Sequence, residues 1–484
     1  MPQSNLPFAR RSFGLLAALV WFVPGLLSAQ AASAAAHHLP DAPHPAALPV
    51  LMAQATTPAT PQVPVPAANA APAQDNASRL TVLDAEQMAI KNNPRVTVGH
   101  LLTLAQHQVV RESRSAELPT ATASLTGVEA EEATRISAGS LTASRLFEHA
   151  GAGAGFTQLI TDFGRTGNLV ASSKLREKAQ NAGALATVED IVLATDQAFY
   201  DALQAQALLR VAQQNVDTRQ TTDNQVSSMT RSKLKSTLDL SFADVNLSQA
   251  KVLLLDAQDN AQATMAVLDS VLGLDHEVRY HLVESTEPLN APPPDPEQLT
   301  QVALQQRPDL QALNYGQQAD VKFSHAQRDQ LLPSITAAGT AGIVPVRPDL
   351  YYTNNWWGGI GVNVNIPVFN GFLYTSQAKE ATYRAQAASE QARDLRDVIV
   401  RDVHTSWLAA NTAYQRVAVT AQLLNQANLA LGLAQTRYKL GLSSIVELSQ
   451  AQYQQTDAAI GNTDAIYQYR LSLATLNYEI GAQP

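Results

Sequence analysis

Two stretches of this chain are too long to lie inside a globule as helices. Between Gly167 and Met229, and again between Phe372 and Leu440, there is no proline, and only Gly183 and Gly432 interrupt runs rich in Ala and Gln. A helix of that length approaches ~100 Å, at about 1.5 Å per residue, whereas a small domain is about 30 Å across. The chain must therefore build something extended.

Shorter helical segments flank the long ones, over about 84–117 and 239–272. Each is about half as long, so two end to end match one long helix and make a rod of even length. Leu240, Ala243, Leu247, Ala250, Leu254, Ala257, Ala261, Thr264, Leu268 and Val271 recur at alternating spacings of three and four. Val400, Val403, Trp407, Ala410, Tyr414, Val417, Ala421, Leu424, Asn428 and Leu431 do the same. This is a coiled-coil seam, and alanine at seam positions lets helices approach closely. A soluble helical bundle carries the same seam, and only length argues against it. The first helical segment opens on a cap at Thr81 or Asp84 and has a break at Asn93–Pro94. Its counterpart runs from Pro296 to just before Pro333.

Those counterparts belong to a wider pattern. Pro94 and Pro308 lie 214 apart, as do Pro119 and Pro333, while Phe199 and Trp407, Leu240 and Leu448, and Gly273 and Gly481 lie 208 apart. Two fixed offsets in separate parts of the chain indicate an internal duplication, with repeats over 80–275 and 294–481 joined by a linker at 276–293. The change of offset falls between Pro119 and Gly164 in one copy and Pro333 and Gly371 in the other, where a loop of variable length fits.

In that same interval each repeat loses its helical period. The stretch GGIGVNVNIPVFNGF alternates Ile360, Val362, Val364 and Ile366 with Gly361, Asn363 and Asn365, a period of two that gives a strand one apolar and one polar face. Each repeat holds two such segments in strand, loop, strand order, about as long as the 9–11 residues of a membrane strand. Tyr351, Tyr352, Trp356 and Trp357 stand at the upstream end, where a membrane interface would hold them. A strand pair packed on helices in water is the plainer alternative. Four strands cannot close a barrel, and open edges in lipid leave backbone groups unpaired, so a membrane reading requires strands from other subunits.

The N-terminus reads as a secretory signal peptide over 1–31: Arg10 and Arg11, an apolar run from Phe13 to Val23, then small residues around Ser28 to Ala31. An Ala/Pro-rich leader without period follows over 32–79. A net charge of -9 with no Lys/Arg cluster gives no support to nucleic-acid binding. No cysteine is present, so disulfides, thiolate metal sites and cysteine nucleophiles are excluded.

No catalytic, cofactor or metal site emerges. Asp162–Phe163–Gly164 matches a kinase metal-binding turn only in its letters, because no Gly-rich loop or catalytic loop accompanies it. His100, His107, His325 and His404 have no ligand spacing, and GAGAG at 151–155 lacks the Gly-Lys of a phosphate loop. The chain is not expected to be an enzyme.

LTVLDAEQMAIKNNPRV, LITDFGRTGNLVASSK, VNIPVFNGFLYTSQAKEATY, RYKLGLSSIVELSQAQYQ and LATLNYEIG together resemble the TolC family of outer-membrane efflux proteins, across both repeats. The resemblance implies a mixed fold: a trimeric channel in which each subunit gives four transmembrane β-strands to a shared barrel and long coiled-coil helices to an α-helical barrel in the periplasm. It implies a passive exit channel of a tripartite efflux or type I secretion system, partnered by a periplasmic adaptor protein and an inner-membrane pump, with no cofactor. Ile360, Val362, Val364 and Ile366 then face outer-membrane lipid. The adaptor is expected at two helix turns, about 232–238 and 440–444, through Lys235, Ser236 and Thr237 and through Gly441, Leu442 and Ser443. The first turn lacks a glycine matching Gly441, which argues against equal roles for the two. The alternative is a secreted or periplasmic coiled-coil interaction protein with no channel.

Overall fold

The computed structural model describes residues 78–128, 135–136, 144–145, 149–274, 280–284, 288–343 and 356–482. The signal peptide, nearly all of the leader, part of the linker, Tyr351 and Tyr352 lie outside them.

The described chain opens with β1 (Ser78–Leu80), which leads into α1 (Val82–Asn92). Thr81 Oγ1 accepts from the Asp84 amide while the Asp84 carboxylate accepts from the Thr81 amide, so two free helix-end donors are satisfied reciprocally. The break expected at Asn93–Pro94 divides the helical segment over 84–117 into two helices. Asn93 takes extended angles before Pro94, and α2 (Pro94–Ser115) starts on the proline, whose missing N–H costs nothing at that position.

Strands β2 (Thr120–Val128), β3 (Arg135–Ile136), β4 (Ser144–Arg145) and β5 (His149–Thr161) come next, followed by α3 (Arg165–Arg231) and α4 (Thr237–Val271). Then β6 (Tyr280–Leu282) pairs with β1 in parallel. The order repeats in α5 (Pro296–Gln306), α6 (Pro308–Asp329), β7 (Ser334–Ile343), β8 (Trp356–Asn365), α7 (Leu373–Lys439) and α8 (Ile445–Glu479). Helices α3 and α7 are each 67 residues long, and α4 and α8 each 35.

The helices form a single wall. Each of α2 and α4 packs on α3, α3 packs on α6 and α8, and these pack on α7, which leaves α2 with α4 at one edge and α7 at the other. The sheet runs antiparallel in the order β2-β5-β7-β8, so its open edges, β2 and β8, belong to the same sides of the chain. Three apolar clusters hold the wall. One gathers Phe199, Leu268 and Leu272 with Leu80 and Leu282 of the β1–β6 pair. A second joins Ile399 and Val403 to Leu310 and Leu476, and a third lies at the helix turns around Val226, Tyr438, Ile445 and Leu448. Burying a side chain the size of Phe199 stabilises by about 1.5–3 kcal/mol.

The α4 seam is buried or half-buried throughout, as its spacing predicts. The α7 seam departs from its pattern beyond Val417. There Ala421 and Asn428 are exposed, while Ala427, Ala434 and Tyr438 are buried. The cause is a change of partner: α7 packs on α5 and α6 as well as on α8, so its inward face turns along its length.

Candidate functional site

The sheet has two chemically distinct faces, fixed by the register across all four strands. Directly paired residues share a face. Val364 pairs with Ile335, Val362 with Ala337, Ile360 with Gly339 and Trp356 with Ile343. The same rows continue through Phe156, Ala154 and Ala152 of β5 to Ala121, Ala123 and Leu125 of β2. Apart from Gln158 and Thr161 at the helix end, this face carries no polar side chain from Ala152 onward. Its opposite carries Asn363 and Asn365, Ser334, Thr336 and Thr340, Thr157, and Thr120, Thr122, Ser124 and Thr126.

Both faces are open to solvent in the single chain. Leu125 is 89% exposed, Ile360 85% and Val362 68%, which is far more than an apolar residue on a finished surface shows in such a contiguous group. Sequence periodicity found β8 but missed Leu125 and Phe156, because the Ala/Gly-rich β5 offers almost no contrast between its faces. Ile366, expected as the last member of the β8 row, lies one residue beyond the end of the strand. Glycines on β7 accept aromatic cover: a Cβ at Gly339 would stand 2.2 Å from the Phe156 ring, and one at Gly342 2.7 Å from Trp357.

At the far ends of the long helices lie two turns with one backbone. In the second, Gly441 takes φ 74 and closes the helix end through Gly441 N–H to Tyr438 O and Leu442 N–H to Arg437 O. In the first, Lys233 takes φ 59 and makes the matching bonds, Lys233 N–H to Thr230 O and Leu234 N–H to Met229 O. A lysine thus fills, despite its Cβ, the left-handed position that Gly441 holds in the second turn. The turn is also shorter than 232–238, since Ser236 caps α4 in a reciprocal pair with Asp239 and Thr237 is already helical. Lys235 Nζ stands 4.5 Å from the Tyr438 ring centroid, which ties the two turns together. Leu442 is exposed and Ser443 half-buried, and the sequence reading omitted the equally exposed Leu234. Arg437 braces the second turn through Glu447 at 3.1 Å.

Where strand meets helix, both halves use two successive left-handed residues, Phe163–Gly164 and Gly371–Phe372. The Phe/Gly order is inverted between them. Asp162 is a structural cap, its Oδ2 accepting from the Thr166 amide at 2.7 Å. His107 bonds Glu177 and His404 faces Glu297, and among the described residues no cluster of His, Asp and Glu is arranged to hold a metal. No described helix is long and apolar enough to cross a membrane.

Titratable groups collect at the junction of α5, α6 and α8. Arg307 there bonds Asp309 at 2.7 Å and Glu479 at 2.5 Å. Its guanidinium also lies 5.6 Å from the Tyr478 ring, whose hydroxyl donates to Asp190. Burial, then the charge of Asp309, pushes Glu189 up to about 7.

The geometry defines a class: an elongated helical wall surmounted by a two-faced sheet, both open at matching edges. The outer membrane efflux protein family matches residues 299–482. Outer membrane protein TolC of Salmonella enteritidis is 27% identical over 122 residues, 25% of this chain and 25% of that protein. The matched stretch thus spans only about a quarter of TolC. Outer membrane efflux protein BepC of Brucella suis is 22% identical over 379 residues, 77% of this chain and 79% of its own length. The solved Campylobacter jejuni CmeC outer membrane channel shares the fold with a TM-score of 0.72 at 16% identity, covering 87% of this chain and 94% of that one. The chain is thus similar to outer membrane efflux proteins in sequence over residues 299–482, and in fold over most of its length.

Proposed function

We propose that the chain is the outer-membrane exit channel of a tripartite efflux or type I secretion system. It passes small molecules or secreted substrates that an inner-membrane pump and a periplasmic adaptor deliver. One observation carries this reading: a sheet with one apolar and one hydroxyl- and amide-bearing face ends in open edges, on the same sides as the open edges of the helical wall. Open edges are untenable in lipid, and neighbouring copies that pair β8 of one with β2 of the next remove them. Three copies give a closed barrel whose apolar face meets lipid through Ile360, Val362, Val364, Leu125 and Phe156. Asn363, Asn365 and the threonines then line a wet lumen.

The helical walls continue the same closure, α7 of one copy against α2 and α4 of the next. Exposed Leu101, Leu104, Val245, Val252, Leu423 and Leu433 on those helices are thereby covered. Each copy contributes two helix–strand–strand–helix repeats, over 80–275 and 294–481. The turns at Lys233–Ser236 and Gly441–Ser444 are the adaptor contacts, with Lys235, Ser236, Thr237, Gly441, Leu442 and Ser443 at the surface of contact. Export is passive, and no bond is made or broken. A coiled-coil interaction protein without a channel has no use for the apolar face.

Fractionation tests the reading. The protein is expected in the outer membrane as a heat-sensitive trimer on gels, and recovery as a soluble periplasmic monomer contradicts it.

A further inference from the structure

Away from the sheet and the turns, α1, α3, α8 and the segment 288–290 line an open-sided cavity of about 600 Å³. That volume lies in the range of small-molecule sites. Two carboxyl groups face it from different helices, Glu86 of α1 and Asp196 of α3. Glu86 is 8% exposed, and Asp196 Oδ1 is buried without a hydrogen-bond partner among the described residues. Burial first, then the charge of Glu86 and a hydrogen bond to it, pushes Asp196 up to about 8. Glu86 is raised by burial, while its bond to Asp196 works the other way. Near neutral pH the pair therefore holds one proton, donated by Asp196 to Glu86, and carries a single negative charge.

The remaining groups are already committed. Tyr478 donates to Asp190 at 2.7 Å, and Tyr469 donates to the Asn290 carbonyl. Arg470, the one cation among the described lining residues, faces Glu284 at 3.7 Å and hydrogen-bonds Tyr200. The cavity thus offers a compensated cation, three tyrosine rings and one uncompensated negative charge. Its complement is a small amine with an apolar body.

We propose that this cavity binds a monovalent organic amine whose ammonium group replaces the proton shared by Glu86 and Asp196. On binding, the pair passes from one negative charge to two, the ammonium adds one positive charge, and the displaced proton leaves to solvent. The net charge of the occupied site is unchanged. A neutral molecule of the same shape cannot make this exchange. The proposal stands whether or not the channel reading holds.

Calorimetry on the full-length protein in detergent tests the proposal, with benzylamine and its neutral counterpart benzyl alcohol as probes at pH 7.5. Benzylamine is expected to bind saturably and benzyl alcohol not to bind. The benzylamine enthalpy should differ between phosphate and Tris buffers, as release of up to one proton per site requires. Affinity should rise by up to about tenfold per pH unit between pH 6.5 and 7.5, because the proton competes. Glu86→Gln and, separately, Asp196→Asn should each weaken binding at least tenfold. Ala474→Trp, which fills the cavity and leaves both carboxyls in place, should abolish it. Asp196→Asn has the shape of the protonated acid, so one variant keeps the fold even if the other does not. Equal binding of the two probes, a buffer-independent enthalpy, or full affinity in Asp196→Asn or Ala474→Trp overturns the proposal.

Discussion

The two halves of the chain close the same joint with different chemistry. In the first, the end of α4 docks on the α1–α2 break. Gly273 sits so close that a Cβ there would stand 3.0 Å from Asn92 O, and the Asn93 amide donates to Val271 O at 3.4 Å. In the second, the end of α8 docks on the α5–α6 break, with Gly481 against the Arg307 backbone. Arg307 occupies the place of Asn93 and gathers Asp309 and Glu479 around a buried guanidinium. The two joints share their helix ends and left-handed glycines, so backbone geometry alone specifies them. The side chains decide what breaks each one: loss of packing in the first half, loss of charge balance in the second.

The largest contrast comes from removing the central side chain. Arg307→Met leaves two partly buried carboxylates without their cation and should cost about 3 kcal/mol in a denaturant titration followed by helicity. Asn93→Ala removes a neutral bond and a cap and should cost about 1 kcal/mol. Similar losses at the two positions would mean that the charge network adds nothing to the joint.

Strands in matching places offer the next contrast. The apolar face carries Ala152, Ala154 and Phe156 on β5 but Ile360, Val362 and Val364 on β8. Val364→Lys should impair barrel assembly by about 2–4 kcal/mol, whereas Asn363→Lys, on the other face, should assemble and change only what passes. Equal tolerance at the two positions would invert the assignment of faces.

The turns test the comparison more gently. Gly441→Ala should lower stability by about 1 kcal/mol, since the left-handed position admits a Cβ poorly. Lys233→Gly should raise it by up to about 1 kcal/mol at the equivalent position, less the entropy that glycine adds to the unfolded chain. Replacing Gly441 by Trp separates backbone from docking: assembly kept with export lost assigns the turn to the adaptor, and unchanged export removes it from that contact.

The smallest effect is that of pH at the charged joint. Glu189 is raised in the fold to about 7 from an ordinary 4.5, so the folded state holds a proton that the unfolded chain releases. Its contribution is full below about pH 4.5, falls as pH rises toward 7 and is flat above that. Glu189→Gln should flatten that fall, by about 1 kcal/mol or less given the partial exposure of the group. An unchanged pH profile in the variant would place the dependence elsewhere.

Much of this fold is legible in the sequence. The long helices follow from two proline-free stretches, the α1–α2 break from Asn93–Pro94, and β8 from strict alternation. Other features follow from contacts that local sequence cannot express. Lys233 adopts a glycine's angles because the closing bonds of the turn and the Ser236 cap leave the chain no other path. The α7 seam turns because its partner changes along the helix. Glu86 and Asp196 meet only because α1 packs on α3, and nothing in either segment's period announces a shared proton.

The central claim is that copies close β8 of one against β2 of the next. The chain has no cysteine, so a pair introduced at Thr122 and Asn363, on the same face of the two edge strands, reports on that contact without background. Short bifunctional thiol crosslinking of the double variant in isolated outer membranes should give dimer and trimer bands and nothing larger, with each single variant remaining monomeric on denaturing gels. A double variant that stays monomeric, or a ladder running past three, would contradict the closed three-copy channel.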